Sequence, residues 1–372
     1  MTSVVRQRSV AVDVARGVAI VGVVFNHAVD GLISAGTLSP EGWVADVNAA
    51  LYLFRLPALV FLVGLFIPGG VTKRGRTGYV GTRTRLLVWL FVIWQVLQGV
   101  VEVATGSVRN GSTNASDLYR LWAPVAHLWF LPFLAIATAL VVALSPWRRG
   151  SVGQAALACC FVVGLFSWGW DVYWFGLRGL ALLPFLAVGA FVGIVRMSAL
   201  LARPGWQWAA VGSSAVTLFV LVLPIGVVPG TEAAPAALGI RAMSMLAAWL
   251  GVVALVAASS LLARTPAIST LLAAIGRVTL PIYLAHVTVV AGARIVLMSF
   301  GVTGPSLLLF LVPLGLAVPY VAWRCSAALH LRWLFDFPGP PTRSSTREQS
   351  APRTPAVHRD VITPRGRHRA RR

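Results

Sequence analysis

Stretches of about 20 apolar residues recur from residue 14 to residue 325, and nothing else in the chain constrains its fold as strongly. Lipid leaves no water to satisfy exposed backbone groups, so stretches of that length fold as membrane-spanning helices. Ten spans are predicted, near 14–36, 48–68, 86–105, 126–145, 153–170, 177–196, 207–228, 238–262, 278–299 and 305–325. At 58% hydrophobic and 11% charged over 372 residues, the chain is too apolar for a soluble domain. The expected fold is an all-α, polytopic bundle of about ten helices in the inner or plasma membrane. A cytoplasmic segment, 1–12, precedes a membrane domain, 13–325. A basic, Pro-rich tail, 326–372, is expected to be disordered from about 338.

Orientation follows from Lys and Arg. With both termini in the cytoplasm, 25 of the 31 basic residues fall in inner segments, and Asp30, Glu41, Asp46, Glu102, Asp117, Asp171 and Glu232 fall in the outer half. The basic exceptions are Arg55, Arg109, Arg120, Arg178, Arg241 and Arg294, in outer loops or within spans. Shifting the count by one helix destroys this asymmetry, so an even number of spans is expected.

The net charge of +20 raises nucleic acid as a partner, but its distribution argues against one. From Pro338 to Arg372 there are nine Arg, two acids and six Pro. Such a tail is expected to lie against the anionic inner leaflet, at about 1 kcal/mol per basic residue near the surface. Asp13 and Arg16 interrupt the first apolar stretch, which is therefore expected to remain as an anchor and not be cleaved as a signal. Cys159, Cys160 and Cys325 offer neither a disulfide framework nor a zinc pair, and no metal is expected.

The first span, VDVARGVAIVGVVFNHAVDG, places Arg16 and His27 eleven residues apart. Three helical turns separate them, so both lie on one face about 16 Å apart along the axis. Ionisable groups at membrane depth are costly and mark pathways or chemistry. Neutral imidazole can act as a general base at pH 7, whereas the plainer reading of His27 is a hydrogen bond across a helix interface. Asp13 can pair with Arg16, Asp30 can orient the His27 ring, and Gly17 lets another helix or a ligand approach closely. LPIYLAHV puts Tyr283 and His286 on one face, at a depth close to that of His27, so the two histidines are expected to meet. His127 and Trp129 open the fourth span as an interfacial belt or an acceptor entrance. The segment KRGRTGYVGTRTRLL reads as a basic loop feeding a helix. Its Arg74, Arg83 and Arg85 serve topology or receive a phosphorylated donor. Gly189 and Gly193 form a GxxxG packing step, and the Leu-Pro pairs ending at Pro57, Pro132, Pro184 and Pro281 read as kink sites.

Taken together, DVARG with the Arg16-x10-His27 spacing, FRLPALVFLVGLF from Phe54, Arg83-Thr-Arg85, HLWFL from His127, LPFLAVGAFVG and LPIYLAH from Leu280 resemble the acyltransferase-3 family of integral membrane acyltransferases. The resemblance covers most of residues 8–325. It implies transfer of an acyl group, commonly acetyl from cytoplasmic acetyl-CoA as co-substrate with no tightly bound cofactor. The implied acceptor is a hydroxyl of an envelope glycan, lipid-linked sugar or small molecule. It places the essential His on His27 and the Arg on Arg16. Where many members have Ser-Gly-Phe, this chain has Val63-Gly64-Leu65. The competing reading is a transporter or flippase of lipid or glycan, in which buried Arg, His and Tyr couple protons.

Overall fold

The computed structural model describes residues 9–104, 124, 126–170, 176–234 and 236–338. The outer segment with Arg109, Asp117 and Arg120, residues 171–175 with Asp171, and the tail beyond 338 lie outside the described residues. Every long element is helical: α1 (Val10–Ser34), α2 (Trp43–Gly64), α3 (Ile67–Arg74), α4 (Arg76–Ala104), α5 (Phe130–Leu144), α6 (Ser151–Phe166), α7 (Leu183–Leu201), α8 (Gly205–Val222), α9 (Leu238–Leu262), α10 (Pro266–Arg277), α11 (Thr279–Ser299) and α12 (Leu308–Cys325).

Among the described residues, nine helical segments are long and apolar enough to cross a membrane, and the chain is a multi-pass membrane protein. The other expected span, near 153–170, is α6, a helix of only 16 residues. At 1.5 Å per residue it reaches about 24 Å, short of a hydrocarbon core of about 30 Å. It stops because the chain turns: the Ser167 hydroxyl bonds back to the Val163 carbonyl at 2.7 Å, and Gly169 takes a φ of 76°.

The basic segment is not a loop. Lys73 and Arg74 close α3, Gly75 turns the chain at φ 72°, and Arg76 already opens α4. α10 was hidden between two predicted spans. Pro266 opens it at a position where the missing N–H costs nothing. Its small buried residues Ser269, Ala273 and Gly276 follow a helical stripe.

α1 is the hub, packing against α2, α9, α10, α11 and α12. Its contact with α10 is backbone on backbone. A Cβ on Gly17 would run into the Leu272 carbonyl, and one on Gly276 into the Asp13 carbonyl. The close approach expected at Gly17 is therefore made by α10. Gly189 packs on Phe61 and Gly64 of α2 in the same manner. Its partner in the GxxxG step differs: Gly193 breaks α7 at φ 67° and ψ 158°, and the Ile194 N–H donates to the Leu65 carbonyl at 2.9 Å. Of the Leu-Pro pairs, only Pro57 lies inside a helix, while Pro132, Pro184 and Pro281 sit in first turns, where the missing N–H is tolerated.

Candidate active site

Three histidines from separate parts of the sequence converge midway along α1. The His27 ring lies 5.1 Å from His286 and 5.6 Å from His127, centroid to centroid, and His127 lies 4.9 Å from His286. His286 comes from α11, so the predicted meeting with His27 is found. His127 was expected at the outer interface. A 3-10 turn, Ala126–Trp129, instead delivers it into the cluster, where it is 5% exposed and His286 fully buried.

Backbone carbonyls fix two of the rings. His286 Nδ1 meets the Tyr283 carbonyl at 2.8 Å and the Ile282 carbonyl at 3.1 Å, and His127 Nε2 meets the Tyr283 carbonyl at 2.9 Å. A carbonyl can only accept, so those nitrogens carry the protons. The other nitrogens, His127 Nδ1 and His286 Nε2, are bare, buried and without a hydrogen-bond partner among the described residues. The Tyr283 hydroxyl donates to the His127 carbonyl, clasping the turn to α11. Gln98 of α4 holds the same helix through the Leu284 carbonyl at 2.9 Å. His27, half-buried, is the accessible member of the cluster.

At the other end of the same helix, Arg16 pairs with Asp13 at 3.9 Å, as expected from their spacing, and lies 5.9 Å from the Phe66 ring. Both face a cavity of about 830 Å³ that Lys73, Arg74, Tyr79 and Arg83 also line. Four cations against one carboxylate give this cavity a net positive lining, and Arg suits bidentate contact with phosphate.

Residues 9–324 match the acyltransferase-3 family, described as an acyltransferase domain. The chain belongs to that family. A curated relative, the nodulation protein NolL of Mesorhizobium japonicum, is 24% identical over 165 residues. The match spans 41% of this chain and 41% of that protein's length. No solved structure matches.

This member of the family thus brings together His27, His127, His286 and Tyr283 in one cluster, and Asp13, Arg16, Arg74 and Arg83 in one cavity. Other candidates fall elsewhere. Arg85 does not line the cavity: its Nε bonds the Gly81 carbonyl at 3.3 Å and its guanidinium lies 6.0 Å from the Phe337 ring. Arg85 follows the cavity-lining Arg83 by two residues, about 200° around α4, so it faces away from the cavity and toward the C-terminal segment. Trp129 stacks with Arg178 at 5.3 Å and packs on Phe133, beside the cluster and not in it. Asp30 is bonded not to His27 but to Asn48, at 3.1 Å, and to Asn26. At i+3 the carboxylate looks across to α2, while the imidazole looks to α11. Val63 lines the cavity wall where many members carry Ser.

Sequence reasoning missed Arg55, Asn26 and Asn48 as site residues, and it placed Lys73 and Tyr79 only as members of the basic segment. Arg55 alone carried a signal, as a basic residue out of place in the second span.

Proposed function

We propose that this acyltransferase moves an acetyl group from cytoplasmic acetyl-CoA to a hydroxyl of an envelope glycan, lipid-linked sugar or secreted small molecule, with His27 as general base. One observation carries the reading: α1 holds Arg16 in a cationic cavity and, about 16 Å further along, His27 in a buried imidazole cluster. Phosphates of the donor fit the cavity, and an extended pantetheine arm lying along α1 carries the thioester toward His27. The His27 imidazole takes the hydroxyl proton as the oxygen attacks the thioester carbonyl. Collapse of the tetrahedral intermediate breaks the C–S bond, and the imidazolium returns the proton to the departing thiolate. Burial of the cluster excludes water, which would otherwise compete for the acyl group. The cavity then opens to the cytoplasm, the N- and C-terminal segments share that side, and the basic tail lies on the anionic inner leaflet of the cell membrane.

The test is transfer from labelled acetyl-CoA by purified protein in nanodiscs. His27→Ala lowers kcat by roughly 10²- to 10⁴-fold, and Arg16→Ala raises the donor KM. Full transfer in both folded variants rejects the assignment.

A further inference from the structure

The half of the site away from Arg16 holds hydrogen-bonding groups that the reaction has not yet used. Arg55 of α2 is 3% exposed within a span, a costly place for a guanidinium. Its Cβ lies opposite Gly22 of α1, 3.8 Å from where a Cβ there would sit. From that level the side chain runs toward the Asp30 end. It donates to Asn48 Oδ1 at 3.2 Å, and Asn48 Nδ2 donates to Asp30 Oδ1 at 3.1 Å. Tyr52 backs the guanidinium, with its ring centroid 3.9 Å away, and itself hydrogen-bonds Glu232. Gly22, Asn26 and Asp30 recur every four residues on the stripe of α1 that faces Arg55, and His27 adjoins Asn26 in sequence.

Across from it, Asn26 is 4% exposed and bonds Asp30. A carboxylate accepts, so Asn26 uses its Nδ2 there, and its Oδ1 is left buried with no hydrogen-bond partner among the described residues. His127 Nδ1 and His286 Nε2 are in the same condition beside His27. Three buried acceptors without donors are an anomaly in a folded interior, where polar atoms are paired. Whatever completes them brings its own O–H or N–H groups. A carboxylate or phosphate brings none, and the nearby carboxylates of Asp30 and Glu232 repel it.

We infer that Asn26, Arg55 and the bare nitrogens of His127 and His286 form the acceptor subsite, and that it takes an uncharged polyol presenting more than one hydroxyl. The inference rests on the acyl-transfer reading above. One hydroxyl meets His27 and reacts. Its neighbours donate to the bare acceptors, while Arg55 donates to a ring or hydroxyl oxygen. Arg55 here is a binding and positioning residue, held by Asn48 and Tyr52.

The experiment offers the purified full-length protein methyl glucoside or methyl glucuronide as acceptor, with acetyl-CoA as donor, and measures binding of each glycoside by calorimetry without donor. The glucoside binds and is acylated, and the glucuronide is at least about tenfold worse. Arg55→Met and Asn26→Leu raise the glucoside KM by about 10- to 100-fold with the donor KM unchanged. Arg55→Lys, which keeps the charge and controls for folding, falls between. Equal use of both glycosides, binding of neither, or a shift in donor KM in place of glucoside KM overturns the subsite. Wild-type transfer by His27→Ala, with glucoside binding still lost in Arg55→Met, rejects the general base and leaves the subsite standing.

Discussion

His127 and His286 lie 4.9 Å apart, ring to ring, and each turns one nitrogen to a backbone carbonyl of α11 and leaves the other bare. Histidines kept for packing would have both nitrogens satisfied, because an unpaired buried acceptor costs about 1–3 kcal/mol. With a ring proton on each carbonyl-facing nitrogen, the other nitrogen of each ring is left for a ligand.

Replacing His286 by Leu therefore removes a stability cost together with a functional group. The thermal midpoint is expected to stay level or rise, while the acceptor KM for acyl transfer rises by about 10- to 100-fold. Calorimetry on the variant beside a transfer assay reads both. A several-degree fall in Tm with transfer intact would return His286 to a structural role.

The cavity separates two arginines that the sequence treats alike. Arg83 lines it and Arg85 lies against Phe337. Arg83→Ala should raise the donor KM by about 10- to 100-fold, the loss of a charge-assisted hydrogen bond, and Arg85→Ala by less than about threefold. Initial rates against acetyl-CoA concentration decide it. Equal effects would mean that the basic segment acts as a diffuse field.

The α1–α10 contact has no room for a methyl group. Gly276→Ala forces its Cβ onto the Asp13 carbonyl and the Gly17 amide, which costs about 1–3 kcal/mol and shifts the turn that carries Arg16. Gly292 on α11 meets nothing within 4 Å, so Gly292→Ala should be neutral or stabilising by up to about 1 kcal/mol. Unfolding midpoints of the two variants in detergent provide the comparison, and equal midpoints would reject the close contact.

Local periodicity made much of this legible. The Arg16–Asp13 pair, the shared stripe of Arg16 and His27, and the depth match between His27 and His286 all follow from helical arithmetic done span by span. What remained hidden depends on chain reversal or on neighbours. His127 read as interfacial because a 3-10 turn, which hydropathy does not register, bends it inward. α10 stayed concealed because twelve residues are too few to signal a span. Arg55 makes sense only through Asn48, Tyr52 and α1, contacts that no spacing rule predicts.

The side on which the chain ends turns on α6. The distribution of Lys and Arg requires an even number of crossings, whereas length and composition qualify nine segments among the described residues and leave α6 at 16 residues. A short apolar helix can still cross if the bilayer thins locally, at fractions of a kcal/mol per Å of mismatch, or if neighbouring helices shield its ends. Contact with α7 and α9 supplies such neighbours. The expected result is that α6 crosses and both termini are cytoplasmic. Single cysteines at Ser151 and at Trp170, in a background lacking Cys159, Cys160 and Cys325, should then react with a membrane-impermeant thiol reagent from opposite faces of sealed vesicles. Labelling of both from the same face would make α6 re-entrant and place the termini on opposite sides of the membrane.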